Sequence, residues 1–203
     1  MVDQASTNEA IAHAGPPPER PEIQIVPLRG LPIVAAAVVF VVVAIATNSM
    51  WMLVFAHVAG GGIWTALDLF VGLILGPIIG KMSIPARAEF MARFMPKMVL
   101  IMPTVVLMTL AAGLQIALNL GNLEPSSPNH AWLIASFIIV GIMAVIALGV
   151  LEPANVAVLF EMRKAPPNGA VIEKLMKRFM YTAGITGLMQ ILTLVIMTRV
   201  ATQ

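Results

Sequence analysis

Cysteine is absent from this chain, and charged and aromatic residues are scarce. The absence of cysteine excludes a disulfide framework, a thiolate metal site and a cysteine nucleophile. Charged residues form only 11% of the sequence and the net charge is +2, so the chain lacks the basic surface that binds nucleic acid. Hydrophobic residues form 59% of the 203 residues, which is more than a soluble domain of this size can bury. The composition predicts an all-α, polytopic membrane protein.

Long hydrophobic runs indicate where the chain crosses the bilayer. A membrane helix needs about 20 mostly apolar residues to cover a hydrocarbon core of about 30 Å. Five runs fit this requirement, and the polar turn Thr47-Asn48-Ser49 separates a short first run from a long second one. The predicted spans are residues 31–47, 50–80, 97–120, 131–159 and 179–200. We therefore expect a bundle of five transmembrane helices over residues 31–203.

Basic residues are divided unevenly between the two sides of these spans. Of the 12 Lys and Arg residues, two precede the first span, four separate the second from the third, and five separate the fourth from the fifth. Only Arg199 lies on the other side. Because cytoplasmic loops carry an excess of Lys and Arg, this division predicts a multi-pass protein of the cell membrane with a cytoplasmic N-terminus.

The first 30 residues differ in composition from the rest. Four of their five prolines lie at positions 16–18 and 21. Prolines remove backbone donors and disfavour helix, so residues 1–30 are expected to form a disordered cytoplasmic tail. An alternative is cleavage after the first span, because Ala44-Ile45-Ala46 fits the small-residue pattern of a signal peptide. The long, proline-rich stretch before the span is atypical of a signal peptide, which favours the uncleaved form with five spans.

The two basic loops resemble each other in sequence. Residues 89–95 precede the third span and residues 173–180 lead into the fifth, and both combine Glu, basic residues, Phe and Met. Each segment is typical of a short amphipathic helix that enters a span. Spans two and three, and spans four and five, are therefore candidates for two copies of one helical hairpin in the same orientation, a parallel repeat.

The second span carries one histidine and one acidic residue, His57 and Asp68. Eleven residues are close to three helical turns, which places both on nearly the same face and about 16 Å apart along the axis. A carboxylate at the membrane centre costs about 2.5–3.5 kcal/mol and indicates a functional site by default. The alternative for Asp68 is a position near the headgroups, paired with a basic loop residue.

Glycines continue along the same helix. Gly72, Gly76 and Gly80 form a double G-x-x-x-G pattern, in which small side chains allow a second helix to approach closely. We expect these three glycines to pack against another helix, either within the chain or across a homo-oligomer.

Histidine and methionine are the residue types that could bind a metal or haem in this chain. His57 is the first candidate, as an axial haem ligand, a transition-metal ligand or a proton carrier. His130, at the start of the fourth span, is the second candidate for a metal site. His57 equally suits a hydrogen bond to a neighbouring helix. Four methionines on one face of the third span suit packing, and alternatively Cu(I): Met91, Met95, Met98 and Met102.

Further polar residues lie inside the predicted spans. Gln115 is in the third span, Gln190 and Thr186 are in the fifth, and Glu152 lies towards the cytoplasmic end of the fourth, followed by Pro153 and Asn155. Such residues usually form interhelical hydrogen bonds worth about 0.6–2 kcal/mol each. Together with Asp68 they could also line a hydrated cavity.

One segment resembles a known family. His57, Gly60 and Trp64 fit the pattern H-x-x-G-x-x-x-W, and the segment continues through Asp68 to Gly76-Pro77. This pattern is similar to that of small membrane proteins related to the copper resistance D family, over about 30 residues. The resemblance implies a helical bundle in which His57 contacts copper or haem b.

Three functions are therefore open. The first is a redox- or metal-linked membrane protein with His57 as ligand. The second is a small channel or transporter that uses Asp68 and Glu152. The third is a non-catalytic accessory subunit, bound through its glycine face to a partner or to a second copy of itself. An enzyme is the least favoured class, because no catalytic set of residues is visible.

Overall fold

The computed structural model describes residues 24–164 and 166–202. This part of the chain is helical and includes no β-strand. We name its five long helices α1 to α5, and all five are long and apolar enough to cross a membrane. They are α1 (Leu31–Ala46), α2 (Met50–Lys81), α3 (Ile84–Asn119), α4 (His130–Arg163) and α5 (Gly169–Ala201). The prediction of an all-α bundle with five membrane helices is confirmed.

The helix boundaries differ from the predicted ones at the end of the bundle that carries the basic loops, here called the basic end. α3 begins at Ile84 and α5 at Gly169, so the two amphipathic segments continue directly into their spans and are not separate helices. α3 also runs unbroken through Pro96 and Pro103. Packing against neighbouring helices makes such prolines tolerable in membrane helices.

Hydrogen bonds and an ion pair hold the short loop between α4 and α5 at the basic end. The Asn168 side chain accepts hydrogen bonds from the N–H groups of Ala170 and Val171, which caps the start of α5. Glu161 of α4 forms an ion pair with Lys164 and accepts a hydrogen bond from the Asn168 N–H. The loop between α4 and α5 is therefore tied to both helices.

The end of the predicted tail is structured. Leu28–Gly30 form a short 3-10 turn before α1, and Ile25 packs against the main hydrophobic core. Residues 24–30 thus belong with the helical domain, because Ile25 gains apolar contacts there. Residues 1–23 of the predicted tail, and the stated prolines among them, lie outside the described residues.

Four of the helices form a ring. α2 packs against α3 and α5, and α4 packs against the same two helices, so the order around the ring is α2, α3, α4, α5. α1 lies outside the ring, against α2 and α3. The methionine face of α3 points inward, because Met91, Met95, Met98 and Met102 are all buried in the core. Its role in this structure is packing.

α2 and α4 each contain a π-helical segment, at Phe70–Leu75 and Ala147–Leu151. In each case the next residue donates its N–H to a carbonyl five residues back: Gly76 to Val71, and Glu152 to Ala147. A proline follows at once in both helices. Because proline has no N–H and its ring clashes with the carbonyl four residues before it, the preceding turn widens. The shared feature agrees with a repeat of two hairpins, which stays a prediction.

Candidate ion site inside the four-helix ring

Asp68 lies inside the ring, near the middle of α2, and only 2% of it is exposed. Its Oδ2 atom accepts a hydrogen bond of 2.9 Å from Thr186 Oγ1 and one of 2.8 Å from Gln190 Nε2. Both partners lie near the middle of α5. Asp68 is therefore held by neutral donors of a neighbouring helix, and the alternative of a pair with a basic loop residue is not what the structure shows.

All four ring helices contribute to a small cavity beside Asp68. The cavity has a volume of ≈ 10 Å³, which is about the space for one water molecule or one small ion. Its polar lining groups are the side chains of Asp68 and Glu152, and the rest of the lining is apolar. Met98, Met102 and Phe179 are among the apolar side chains. The structure thus brings the two candidate acidic residues of spans two and four to one cavity.

The π-segments position these two carboxyl groups. Asp68 lies two residues before the π-segment of α2, and Glu152 directly follows that of α4. Val71, Ala147 and Leu151 from the two segments also line the cavity. π-segments are frequent at functional sites because they interrupt the regular ladder and re-aim side chains. Here they flank the same cavity on two sides of the ring.

Neither carboxyl group has a basic partner among the residues that the structure describes. The ion pairs of the described residues join Glu89 to Arg93, Glu161 to Lys164, and Glu173 to Lys177, all near the basic end. Isolated ionised groups in a low-dielectric interior are costly unless a counter-charge compensates them. Two carboxyl groups at one cavity without a basic side chain therefore require protons or a bound cation.

Asn155 lies one turn after Glu152 on α4 and is fully buried, with 0% exposure. Its amide interacts with the Glu152 carboxyl group. Neither Nδ2 nor Oδ1 of Asn155, however, makes a hydrogen bond of ordinary geometry within the described chain. Because buried polar atoms are nearly always bonded, the neighbouring Glu152 carboxyl group is the polar group that this side chain faces.

His57 lies at the contact between α2 and α3. Its Nδ1 is 2.9 Å from the backbone oxygen of Thr109, and the ring rests on Gly113, where a Cβ atom would come within 2.6 Å of it. Because a carbonyl oxygen only accepts, Nδ1 carries the proton and the lone pair is on Nε2. The 11-residue spacing does bring His57 and Asp68 to the inner side of α2, but His57 meets α3 whereas Asp68 meets α5.

The two described histidines, His57 and His130, lie on different helices, α2 and α4. His130 begins α4, where the preceding Asn129 bonds to Val200 of α5. No three His, Asp or Glu side chains of residues 24–164 and 166–202 are grouped closely enough to hold a metal ion. The polar contact that the structure gives His57 is the hydrogen bond to Thr109 of α3, and binding of copper or haem at His57 stays a prediction.

The two glutamines have different environments. Gln190 is buried and bonds to Asp68, whereas Gln115 lies at the end of the bundle opposite the basic end. Gln115 donates to Asn48 and Asn119, and Asn119 donates to Asn48 at 2.7 Å. Asn48 has φ of +50° in the tight turn between α1 and α2. Gln115 is thus part of a cluster that ties this turn to α3, and it is not an interior residue of the site.

The glycines of α2 pack less uniformly than their spacing predicts. A Cβ atom on Gly72 would lie 2.4 Å from the Cα of Gly184, so α2 and α5 cross closely there. A Cβ atom on Gly76 would lie 3.6 Å from the Sδ atom of Met180 on α5, an ordinary van der Waals distance. Gly80 is exposed, and a Cβ atom there would meet nothing within 4 Å. Gly80 therefore has no close helix neighbour among the described residues, and its predicted packing across a homo-oligomer stays a prediction.

Comparison with protein families, with curated proteins and with solved structures finds no match for this chain. The similarity of residues 57–77 to the copper resistance D family therefore stays a prediction.

Sequence reasoning did not find several residues of these contacts. Thr109 and Gly113 form the environment of His57, and Gly184 forms the close crossing with Gly72. The positions of Gly113 and Gly184 within hydrophobic spans are the available signal, since glycine there often indicates close approach of a second helix. The full burial of Asn155 has no signal in the sequence, because it depends on how α4 packs against α3 and α5.

Proposed function

We propose that this protein transports or conducts a small cation, a proton or a metal ion, through the cavity between α2, α3, α4 and α5. The observation that carries the proposal is the pair of carboxyl groups, Asp68 and Glu152, at one water-sized cavity with no basic partner among the described residues. Intramembrane carboxyl groups of this kind belong to ion pathways and proton relays.

The surroundings of the cavity agree with movement of an ion rather than permanent storage. Neutral donors hold Asp68, so the carboxylate is stabilised without a competing positive charge. The apolar lining keeps water out and strengthens the attraction for a cation. The π-segments of α2 and α4 place an irregular backbone at the cavity, which is how many transporters build their ion sites.

The orientation is part of the proposal. Both basic loops and residues 24–30 lie at the basic end of the bundle, and the positive-inside rule assigns such an end to the cytoplasm. We propose that the protein lies in the cell membrane with this end in the cytoplasm. Passage of a cation between the external side and the cytoplasm would then use the path past Asp68 and Glu152.

Liposomes containing the purified protein test the proposal. We expect an imposed sodium or proton gradient, followed with ion-sensitive dyes inside the liposomes, to dissipate faster than in protein-free liposomes. The variants Asp68→Asn and Glu152→Gln, which remove the negative charge with little change of shape, should reduce the rate to the protein-free value. Glu89→Gln is the matched control, because Glu89 is exposed near the basic end and pairs only with Arg93.

The same flux measurement can also contradict the transport proposal. If wild-type protein and Asp68→Asn dissipate both gradients at the protein-free rate, the transport proposal fails, and the accessory-subunit interpretation replaces it. Co-purification with a membrane partner would then be the next measurement.

Metal or haem binding at His57 stays a separate prediction. The hydrogen bond from Nδ1–H to Thr109 favours it, since metal-bound histidines commonly donate their other N–H to a backbone carbonyl. An absorption spectrum and metal analysis of the purified protein test it. No step of the proposed transport involves a metal at His57.

A further inference from the structure

We propose that the ion is a proton, which Asp68 and Glu152 exchange through one water molecule in the cavity, and that Trp64 is a positioning residue for the ionised form of Asp68. This inference rests on the proposed function for its site. It adds the class of ion, the transfer step and a role for the tryptophan of the H-x-x-G-x-x-x-W pattern.

The cavity offers few ligands to a metal ion. Asp68 and Glu152 supply the polar side chains of its lining, and the other lining residues are apolar. No third Asp, Glu or His side chain of residues 24–164 and 166–202 joins them closely enough to hold a metal ion. A hard cation such as Ca²⁺ takes about six to eight oxygen ligands, whereas a proton needs one lone pair on the atom that accepts it. The lining therefore suits a proton.

The size of the cavity suits one water molecule as the bridge. Its volume of ≈ 10 Å³ is about the space that one water needs, and a buried water is held where about two to four polar groups bond to it. The carboxyl groups of Asp68 and Glu152 are two such partners, and the apolar remainder of the lining excludes further water. Proton transfer through a single water is within the reach of a side chain that acts as acid or base.

The transfer conserves atoms and charge. With Glu152 protonated and Asp68 ionised, the Glu152 O–H bond breaks and its proton passes to the water, while the water gives one of its own protons to an Asp68 oxygen. A new O–H bond forms on Asp68, the water keeps its composition, and the negative charge has moved to Glu152. The reverse step returns the proton by the same route.

The described groups that face Asp68 are neutral apart from Glu152. The lining residues from α3 and α5 are apolar, and the two hydrogen-bond donors from α5, Thr186 and Gln190, carry no charge. Glu152 of α4 is the other titratable residue of the lining. Because no described cation holds Asp68 permanently ionised, its carboxyl group can alternate between two protonation states.

Trp64 is a further neutral donor at Asp68. It lies one helical turn before Asp68 on α2 and is buried, with 2% exposure. Its Nε1 atom makes no hydrogen bond of ordinary geometry to a described residue, and its interaction is with the carboxyl group of Asp68. An indole N–H only donates, so Trp64 can stabilise negative charge on Asp68 but cannot pass the proton on. It is therefore a positioning residue.

Flux measurements in liposomes test the class of ion on the wild-type protein. A proton gradient is imposed with a potassium ionophore present to compensate charge, and an internal pH-sensitive dye follows its loss. We expect the same proton flux when choline replaces sodium on both sides of the membrane. The loss of an imposed sodium gradient, followed with a sodium-sensitive dye, should stay at the protein-free rate.

Trp64→Phe tests the positioning residue, because phenylalanine keeps an aromatic ring and removes the N–H donor. We expect the proton flux at neutral pH to fall roughly tenfold, the effect of one hydrogen bond to a charged group. The flux should recover at higher pH, where Asp68 ionises without the donor, whereas a structural defect would lower the flux at every pH. Thr186→Val, which removes another donor to the same carboxyl group, should displace the pH profile in the same direction.

Trp51→Phe is the matched control, because Trp51 is exposed on the same helix and stacks on Phe55. It should keep the wild-type proton flux and pH profile. A pH profile of Trp64→Phe equal to that of Trp51→Phe would overturn the role of Trp64. Should Trp64→Phe fail to fold, an unchanged profile of Thr186→Val would overturn the role of the neutral donors.

The class of ion and the proposed function fail separately. Wild-type protein that dissipates the sodium gradient faster than protein-free liposomes contradicts this inference alone, since a cation is still transported. Wild-type protein that dissipates neither gradient contradicts the proposed function and this inference together.

Discussion

At the scale of single residues, hydrogen bonding distinguishes two kinds of polar side chain in this bundle. His57 bonds to a backbone carbonyl through Nδ1, and its ring fills the space above a glycine. Both the Nδ1 atom and the ring therefore have neighbours on α3. Asn155 and Gln190 are buried with oxygen atoms that have no donor in the described chain. Since unsatisfied polar atoms are costly in a membrane, the second kind calls for a further polar partner, whereas the hydrogen bond of His57 joins α2 to α3.

The close contact between His57 and Gly113 leads to a prediction about stability. A Cβ atom at position 113 would lie 2.6 Å from the imidazole ring, so Gly113→Ala should destabilise the fold by about 1–3 kcal/mol, as overpacking does. His57→Ala removes the ring and the hydrogen bond to Thr109. In the double variant the added methyl group has space, so the effect of Gly113→Ala should largely disappear.

Denaturant unfolding of the wild type, both single variants and the double variant measures this coupling. Gly62→Ala serves as the control, because nothing lies within 4 Å of a Cβ atom there. Strictly additive effects of the two substitutions would mean that His57 does not occupy the space above Gly113.

At the scale of helices, the sequence predicts the number and approximate position of the membrane spans better than it predicts their exact boundaries and their π-helical segments. The five apolar runs are long and unambiguous, so the five spans follow from bilayer thickness alone. Where helices α3 and α5 begin was not predictable from hydropathy, because residues 84–96 and 169–178 are amphipathic and their helical state depends on packing at the basic end. The π-segments were also missed, although Pro77 and Pro153 are their cause.

The candidate site likewise has features that the sequence predicts and features that it does not. Asp68 and Glu152 stand out in the sequence, because acidic residues in apolar spans are rare. Their meeting at one cavity depends on the order of helices around the ring, which the spacing along single helices does not contain. For the same reason, the sequence treats Gln115 and Gln190 alike, whereas the structure places only Gln190 beside Asp68.

The crossing of α2 and α5 carries a second stability prediction. A Cβ atom on Gly72 would lie 2.4 Å from a backbone atom of Gly184, and backbone cannot move aside as a flexible side chain can. Gly72→Ala should therefore separate the two helices beside Asp68 and destabilise the protein by about 2 kcal/mol or more. Because the same crossing positions Thr186 and Gln190, cation flux should fall as well.

The chain supplies its own controls for this prediction. Gly184→Ala would place its Cβ at 3.6 Å from Gly72 Cα, an ordinary contact, and Gly80→Ala would meet nothing within 4 Å. Both should unfold within about 0.5–1 kcal/mol of wild type in a denaturant titration, the range of small changes at compatible sites. Gly72→Ala with wild-type stability would contradict the close crossing.

At the scale of the whole molecule, one end of the bundle is basic and the other is nearly uncharged. The loops between α2 and α3 and between α4 and α5 lie together at the basic end, because the two helices between them, α3 and α4, carry the chain across the bundle and back. The cavity lies between the two ends, roughly level with the middle of α5. Any route through the cavity is therefore a route across the membrane.

Cysteine labelling tests the orientation of the whole molecule, on a background free of native cysteine. Ser126 lies exposed in the loop between α3 and α4, and Pro167 lies exposed between α4 and α5 at the basic end. With the basic end in the cytoplasm, a membrane-impermeant maleimide added to intact cells should label Ser126→Cys and leave Pro167→Cys unmodified until the cells are permeabilised.

A third variant, Gly80→Cys, should behave like Pro167→Cys, because Gly80 lies near the end of α2 on the same side. If Pro167→Cys and Gly80→Cys react in intact cells while Ser126→Cys does not, the molecule is inverted and the basic end faces the external side.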